Sequence, residues 1–308
     1  MAERGWSALD PEPRVAVVIL TVNQREKTLR VLGSFSPEER RRHRFLVWDN
    51  GSKDGTGEAV ALAFPEVAVQ GHGTNLGVAS GRNAAAALAV ERFAPTHLLF
   101  LDNDMVVTEG FVEALLAPFG RDPLLGQTQA KLRFLKDPER LNDGGGCRIT
   151  FWRGRTHPVG FGELDRGQRD REAPCIACGG AMMVRADVFR ELGGFDSAFD
   201  PFGPEDLDFS LRLQGRGYRA LYVPRAVAYH EVGHTFGGGR YSGAYARAKA
   251  RHWLRFLTRH GKPHQVAAFF LLGAPWAAAR LVLREGRKGN LGAVAGTLRG
   301  ALESLFRR

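Results

Sequence analysis

Two carboxylates stand where an apolar run breaks off: "LLFLDNDMVV", residues 98–107, stops at Asp102, Asn103 and Asp104 before turning apolar again. Acids two residues apart at a strand end reach into one loop and can hold a divalent cation through oxygen. Mg²⁺ in such places is commonly held by one or two carboxylates plus substrate phosphates, so the pair implies a phosphate ligand. An Asp-rich turn that merely ends a strand has the same composition. "PEDLDF" then puts Glu205, Asp206 and Asp208 at the opening of a predicted helix, where the helix dipole favours acids. Capping accounts for one or two of them, and three point also to a carboxylate that takes a proton from an acceptor hydroxyl, an effect of about 10²–10⁴-fold in rate. "AYHEVGHT" supplies His230 and His234 directly after a predicted strand, although a lone histidine is more often structural than a ligand.

The elements that must position these groups read as α/β. "VAVVIL" (15–20), "RFLVWD" (44–49), "VAVQ" (67–70) and "HLLFLD" (97–102) are continuous apolar runs, as strands covered on both faces are. Helices are predicted between them at about 24–34, 54–63 and 77–91, so the pattern is that of a βαβ-built, mainly parallel sheet. In an open α/β sheet the ligand lies outside the carboxyl ends of the strands. Strand one ends in Thr21 and Asn23, strand two in Asp49 and Asn50, and the fourth in the Asp102–Asp104 triplet, so polar residues converge on one edge. Residues 105–180 are glycine-rich, with "NDGGG" at 142–146, and read as less regular. A second ordered unit is expected from "CGGAMMVRADVFRELGGFD" (178–196) through a helix and strand over 204–224.

The net charge of +10 is uneven: from Arg240 onward 14 Lys/Arg face 2 Asp/Glu, so that region carries +12 and the first 239 residues −2. A basic helical extension is expected over 240–308, with breaks at Gly261–Pro263 and Gly286–Asn290. Its Val266–Ala279 stretch has no charge but, at fourteen residues, reads as too short for a span of about 20 and suits an in-plane helix on an anionic leaflet. Nucleic acid is not an expected partner. The opening "MAERGWSALD" offers no apolar export core, and three cysteines imply no disulfide framework, so the expected location is the cytoplasm, peripheral on the inner face of the membrane. Cys175 and Cys178 form a CxxC read as two buried free thiols rather than a redox pair or half a zinc site.

Five ordered segments covering roughly residues 15–235 resemble the inverting nucleotide-sugar glycosyltransferases of family 2, in particular their rhamnosyltransferase-like members. They are "VVILTVNQREKTLRVLGSF", "LVWDNGSKDGT", "GTNLGVASGRNAA", "LLFLDNDMVVTEGFVEAL" and the long run from "GGAMMVRADVF" to "AYHEVG". The resemblance implies a GT-A fold over 1–239, its nucleotide-binding part at about 15–105 and its acceptor part at about 106–239. It implies that Thr21, Asn23 and Asp49 hold the base, Asp49 typically accepting from a pyrimidine, so UDP- or dTDP-linked donors are favoured. Asn75, Gly77, Arg82 and Asn83 match the segment closing over the nucleotide and diphosphate. Asp102 and Asp104 match the family's DxD, with Asp104 a metal ligand and Asp102 a ribose or metal contact. Asp206 matches the catalytic base, His230 a histidine completing the Mg²⁺ or Mn²⁺ site, and Glu205 and Asp208 acceptor or supporting positions. The acceptor is expected to be a cell-surface glycan or a lipid-linked intermediate. "TVNQ", "GPEDLDF" and "GGGCRITFWRGRTHP" depart from the family pattern, and such middle regions usually shape the acceptor site.

Two other readings compete. A sugar nucleotidyltransferase or a dinucleotide oxidoreductase needs a glycine-rich loop after the first strand, where this chain has "TVNQREKTL". A non-catalytic nucleotide-sugar or membrane-surface binding module would not need every acidic position that the chemistry requires.

Overall fold

The computed structural model describes residues 14–177, 179–232 and 242–306. Cys178, His234 and the expected boundary at 239/240 lie outside the described residues. The four apolar runs are strands β1 (Val15–Thr21), β2 (Arg44–Asp49), β3 (Ala68–Gly71) and β4 (His97–Asp102). All pair in parallel, β4–β1–β2–β3. The chain between them forms helices α1 (Arg25–Gly33), α2 (Pro37–Arg42), α3 (Thr56–Ala63) and α4 (Val78–Phe93). Alternation along β1 explains why the run has no polar face: Val15, Val17 and Ile19 enter one core, Ala16 and Val18 the other. In the second core α4 contributes Ala79, Ala85, Ala86 and Ala89, small side chains that let it lie close against β1.

Beyond β4 the sheet is mixed. The chain continues through β5 (Met105–Val107), α5 (Phe111–Leu116), β6 (Leu125–Phe134), β7 (Leu141–Asp143), β8 (Cys147–Thr150), β9 (Arg155–Pro158) and β10 (Ala173–Pro174). There follow β11 (Ala181–Arg185), α6 (Ala186–Glu191), α7 (Glu205–Gly215) and β12 (Arg219–His230). The order is β10–β12–β6–β11–β4–β1–β2–β3, with β11 antiparallel to both β4 and β6. The expected mainly parallel sheet therefore describes its first half. Apolar runs mark burial but carry no record of strand direction. Residues 105–180 are also more ordered than their glycines imply, for β6 lies near the sheet centre although it reads "LGQTQAKLRF". Its Gln127, Thr128, Gln129 and Lys131 are buried, and the Lys131 ammonium is satisfied by Asp165 at 3.0 Å and by Asp170. Cys147 and Cys175 are buried, and burial pushes the Cys175 thiol up.

The basic C-terminal region is helical: α8 (Gly243–His260), α9 (Pro263–Ala268), a π turn Phe269–Gly273, α10 (Ala274–Gly286) and α11 (Leu291–Phe306). Phe199, Leu207, Phe256, Leu257 and Phe269 share a core that fastens this region to α7. Helices α8 and α11 touch backbone to backbone, since a Cβ on Gly296 or Gly300 would run into the carbonyl oxygens of Gly243 and Arg247. The helix that contains the uncharged stretch is longer than fourteen residues. Pro263–Gly286 is one 24-residue helical run, long and apolar enough by length and composition to cross a membrane. Pro275 does not interrupt it because it falls in the first turn of α10, after the π turn, where a missing N–H is tolerated.

Candidate active site

The end of β4 and the end of β12 build one half of the site. Asp104 is buried, and its carbonyl accepts from the Glu231 N–H at 2.9 Å, which fixes the loop against β12. His230 Nε2 lies 3.4 Å from Asp104 Oδ1, and His230 Nδ1 lies 2.9 Å from Asn142 Oδ1. Because an amide oxygen only accepts, His230 Nδ1–H donates to Asn142, and the ring is held with Nε2 facing Asp104, to which it donates when protonated. Burial pulls the ring's pKa down, yet the Asp104 hydrogen bond and charge outweigh it and leave the value raised. One carboxylate and one imidazole nitrogen are a donor set for Mg²⁺ or Mn²⁺. Among the described residues no three His, Cys, Asp or Glu groups converge on one position.

The other half is joined to it by Arg82, from the second turn of α4. Its guanidinium donates to Asp102 at 2.6 Å and to Glu205 at 3.0 Å, and so ties the end of β4 to the start of α7. Glu205 is buried; desolvation, then the neighbouring Asp206, push its pKa up to about 8 against the pull of Arg82. Asp206 beside it is half-buried, and burial likewise raises its affinity for a proton. The Leu207 N–H donates to Asp206 Oδ1 at 2.7 Å and the Gly179 N–H to Oδ2. A Cβ at Gly179 would stand 2.8 Å from that oxygen, which explains the glycine. The Asp102 N–H donates to the Gly180 carbonyl at 2.8 Å.

The ends of β1, β2 and the start of α4 form a braced floor. Thr21 Oγ1 is fixed between Thr28 Oγ1 at 2.8 Å and Asn103 Nδ2 at 3.0 Å. Asn23, at φ 51°, accepts from the Lys53 N–H at 2.8 Å, and Asp49 accepts from the Ser52 N–H at 2.7 Å. Asn50 donates to Asn75 Oδ1 at 2.9 Å and to the Gly77 carbonyl at 3.0 Å, drawing the 75–77 loop over the sheet edge. Gly77, at φ 92°, could not carry a side chain, because a Cβ would collide with the Asp200 carboxylate. That carboxylate caps α4 from outside, accepting from the Ala79 N–H at 2.9 Å.

A family model described as "Glycosyltransferase like family 2" matches residues 13–254. The chain belongs to this glycosyltransferase family. An N-acetylglucosaminyl-diphospho-decaprenol L-rhamnosyltransferase from Mycobacterium tuberculosis is 27% identical over 241 residues, 72% of this chain and 77% of that one. Among solved structures, the glycosyltransferase is similar to GalNAc-T7 with UDP, GalNAc and Mn²⁺, at TM-score 0.63 and 20% identity over 80% of this chain. It spans about half of that structure, 48%. The mannosyltransferase PcManGT from Pyrobaculum calidifontis, in complex with GDP-Man and Mn²⁺, aligns at TM-score 0.57 and 19% identity, over 96% of this chain and 88% of that one. The fold is accordingly the GT-A fold.

In the glycosyltransferase, Asp102, Asp104, Arg82, Glu205, Asp206 and His230 come together at the carboxyl edge of the sheet. Two residues assigned from the sequence face elsewhere. Asn83 clamps the Phe195 backbone, donating to its carbonyl at 2.8 Å and accepting from its N–H at 2.9 Å, so its amide holds a loop. Asp208 is fully buried, bound by Arg212 of the same helix at 2.7 Å and by His260 of α8 at 2.8 Å, so of its two expected roles the geometry fits the supporting one. The helical period explains this, since position 208 lies about 200° around α7 from 206. Sequence reasoning placed Asn50 and Asn103 on the polar edge without giving them a role, and passed over Asn142 and Asp200. Asn142 sits in "NDGGG", whose composition signals only a turn.

Proposed function

We propose that the chain transfers a sugar from a UDP- or dTDP-linked donor to the hydroxyl of a lipid-linked glycan acceptor, with inversion. Asp206 takes the proton of the acceptor hydroxyl while that oxygen attacks the anomeric carbon from the face opposite the nucleoside diphosphate. One C–O bond forms as the other breaks, and the diphosphate departs with the bonding electrons. The raised proton affinity of Asp206, caused by burial, suits a base of this kind. Asp104 and His230 would hold Mg²⁺ or Mn²⁺, which when bound neutralises charge developing on the leaving diphosphate. Thr21, Asn23 and Asp49 would meet the base, and Asn75 and Gly77 the nucleotide. Arg82 keeps Asp102 and the start of α7 in register, and that bridge is the observation that best supports the reading, because it ties Asp102 to Glu205, the neighbour of Asp206. The Mycobacterium tuberculosis relative, named for a decaprenol-linked acceptor, supports the acceptor class.

The test is a panel of nucleotide sugars, with and without Mn²⁺, read as nucleoside diphosphate released in the presence of polyprenyl-diphosphate-linked sugars. Metal-dependent release from a pyrimidine nucleotide sugar is expected. Tight nucleotide binding with no release from any donor would contradict the assignment.

A further inference from the structure

The apolar helix and the unusual "TFWRGR" stretch are left over by the chemistry, and the structure brings them together. Gly273 lies against the Trp152 carbonyl, and Gly154 against the Phe269 ring, so the turn at 151–155 grips one side of the Pro263–Gly286 helix. The rest of that helix faces outward: Leu271 is 76% exposed, Leu272 63% and Trp276 49%. Guanidinium groups stack on the flanking indoles, Arg155 at 4.6 Å and Arg280 at 5.4 Å from the Trp276 ring, and Arg153 at 4.4 Å from Trp152. We propose that this face docks on an anionic lipid bilayer, with the helix lying in the plane of the interface.

Three observations choose that occupant. An exposed apolar strip edged by Trp and Arg matches the layered chemistry of acyl chain, glycerol and phosphate. Charge excludes a second copy of the same face: between 262 and 290 the five Lys/Arg meet a single acid, Glu285, which is buried and bound to Arg284 at 2.7 Å and Asn290 at 2.8 Å. Two such faces would press cation on cation. Topology excludes a span. The helix leaves from the end of α8 and returns through α10 to α11, and α11 lies in backbone contact with the start of α8. A spanning pose would carry α8 and its five Lys/Arg into hydrocarbon with it.

The inner side of this helix reaches the flank of the site, for Phe269 shares a core with Leu207, next to Asp206. The hairpin β8–β9 that bears the 151–155 turn begins five residues after Asn142, which orients His230. A bilayer there would deliver a lipid-borne acceptor to Asp206; this consequence rests on the proposed function, whereas docking does not.

The full chain should be sedimented with phosphatidylcholine vesicles, with and without phosphatidylglycerol. Association only with the anionic vesicles is expected, weakening about tenfold or more in Leu271→Glu/Leu272→Glu. In Arg155→Gln/Arg280→Gln a similar loss is expected, together with a smaller dependence on salt. Nucleotide binding by these variants should equal that of the parent, which also shows that they fold. No association with either vesicle, or association unchanged in Leu271→Glu/Leu272→Glu, would overturn the proposal. So would resistance to alkaline carbonate, which would indicate a span, or a dimer in light scattering that those substitutions dissolve. Vesicle binding without nucleotide binding would leave docking standing and remove the transferase reading.

Discussion

At the scale of single residues, the site depends on side chains that never touch substrate in the proposed chemistry. Asn142 is the plainest case, since its amide oxygen fixes the His230 tautomer that faces Asp104. Groups that orient a ligating imidazole typically matter about 10–100-fold in metal affinity. Asn142→Ala should therefore weaken Mn²⁺ binding in the presence of nucleoside diphosphate by about that factor, as read by calorimetry. An unchanged affinity would mean that His230 does not ligate. Residue types announced Asp104 and His230 in the sequence because acids at a strand end and a histidine after a strand have few structural uses together. Asn142 was not legible, for an Asn before Asp-Gly-Gly-Gly has an ample explanation as a turn.

At the scale of elements, α7 has two duties on two faces. Its first turn presents Asp206 to the site, while Asp208 anchors the helix to α8 through Arg259 at 3.1 Å and His260 at 2.8 Å. Burial alone would raise the Asp208 pKa, but the hydrogen bonds from His260 and Arg212 hold it below the ordinary carboxylate value. Asp208→Ala strands these cations, and the expected loss is about 3 kcal/mol of unfolding free energy, checked by urea titration. A loss within experimental error would show that the ion cluster does not fasten the tail. The first four strands were readable because each is a short apolar run with both faces covered. Strand β6 was not, because Gln, Thr and Lys side chains read as exposed, and the partner that lets Lys131 be buried, Asp165, lies 34 residues along the chain. The capping of α4 by Asp200 escaped for the same reason, since 120 residues separate Asp200 from Ser80.

At the scale of the whole molecule, stability and function draw on different ionisable groups. His97, deep in the sheet, has its pKa lowered from 6.5 to about 4, by burial first and the Arg185 charge second. The unfolded chain takes up this proton more readily, so the contribution is complete above pH 6.5 and is lost as pH falls toward 4, amounting to about 3 kcal/mol. His97→Gln should flatten that part of the stability profile, measured as urea midpoints between pH 7 and 4; an unaltered slope would assign acid sensitivity to other groups. Function in this account is divided between the leaving-group platform at Asp104 and His230 and the proton acceptor at Asp206, held in register by Arg82. The most direct test measures Asp206→Asn for both sugar transfer and nucleotide affinity in Mn²⁺. Transfer is expected to fall by about 10²-fold or more, with nucleotide affinity within about twofold of the parent. Normal transfer with weakened nucleotide binding would contradict it.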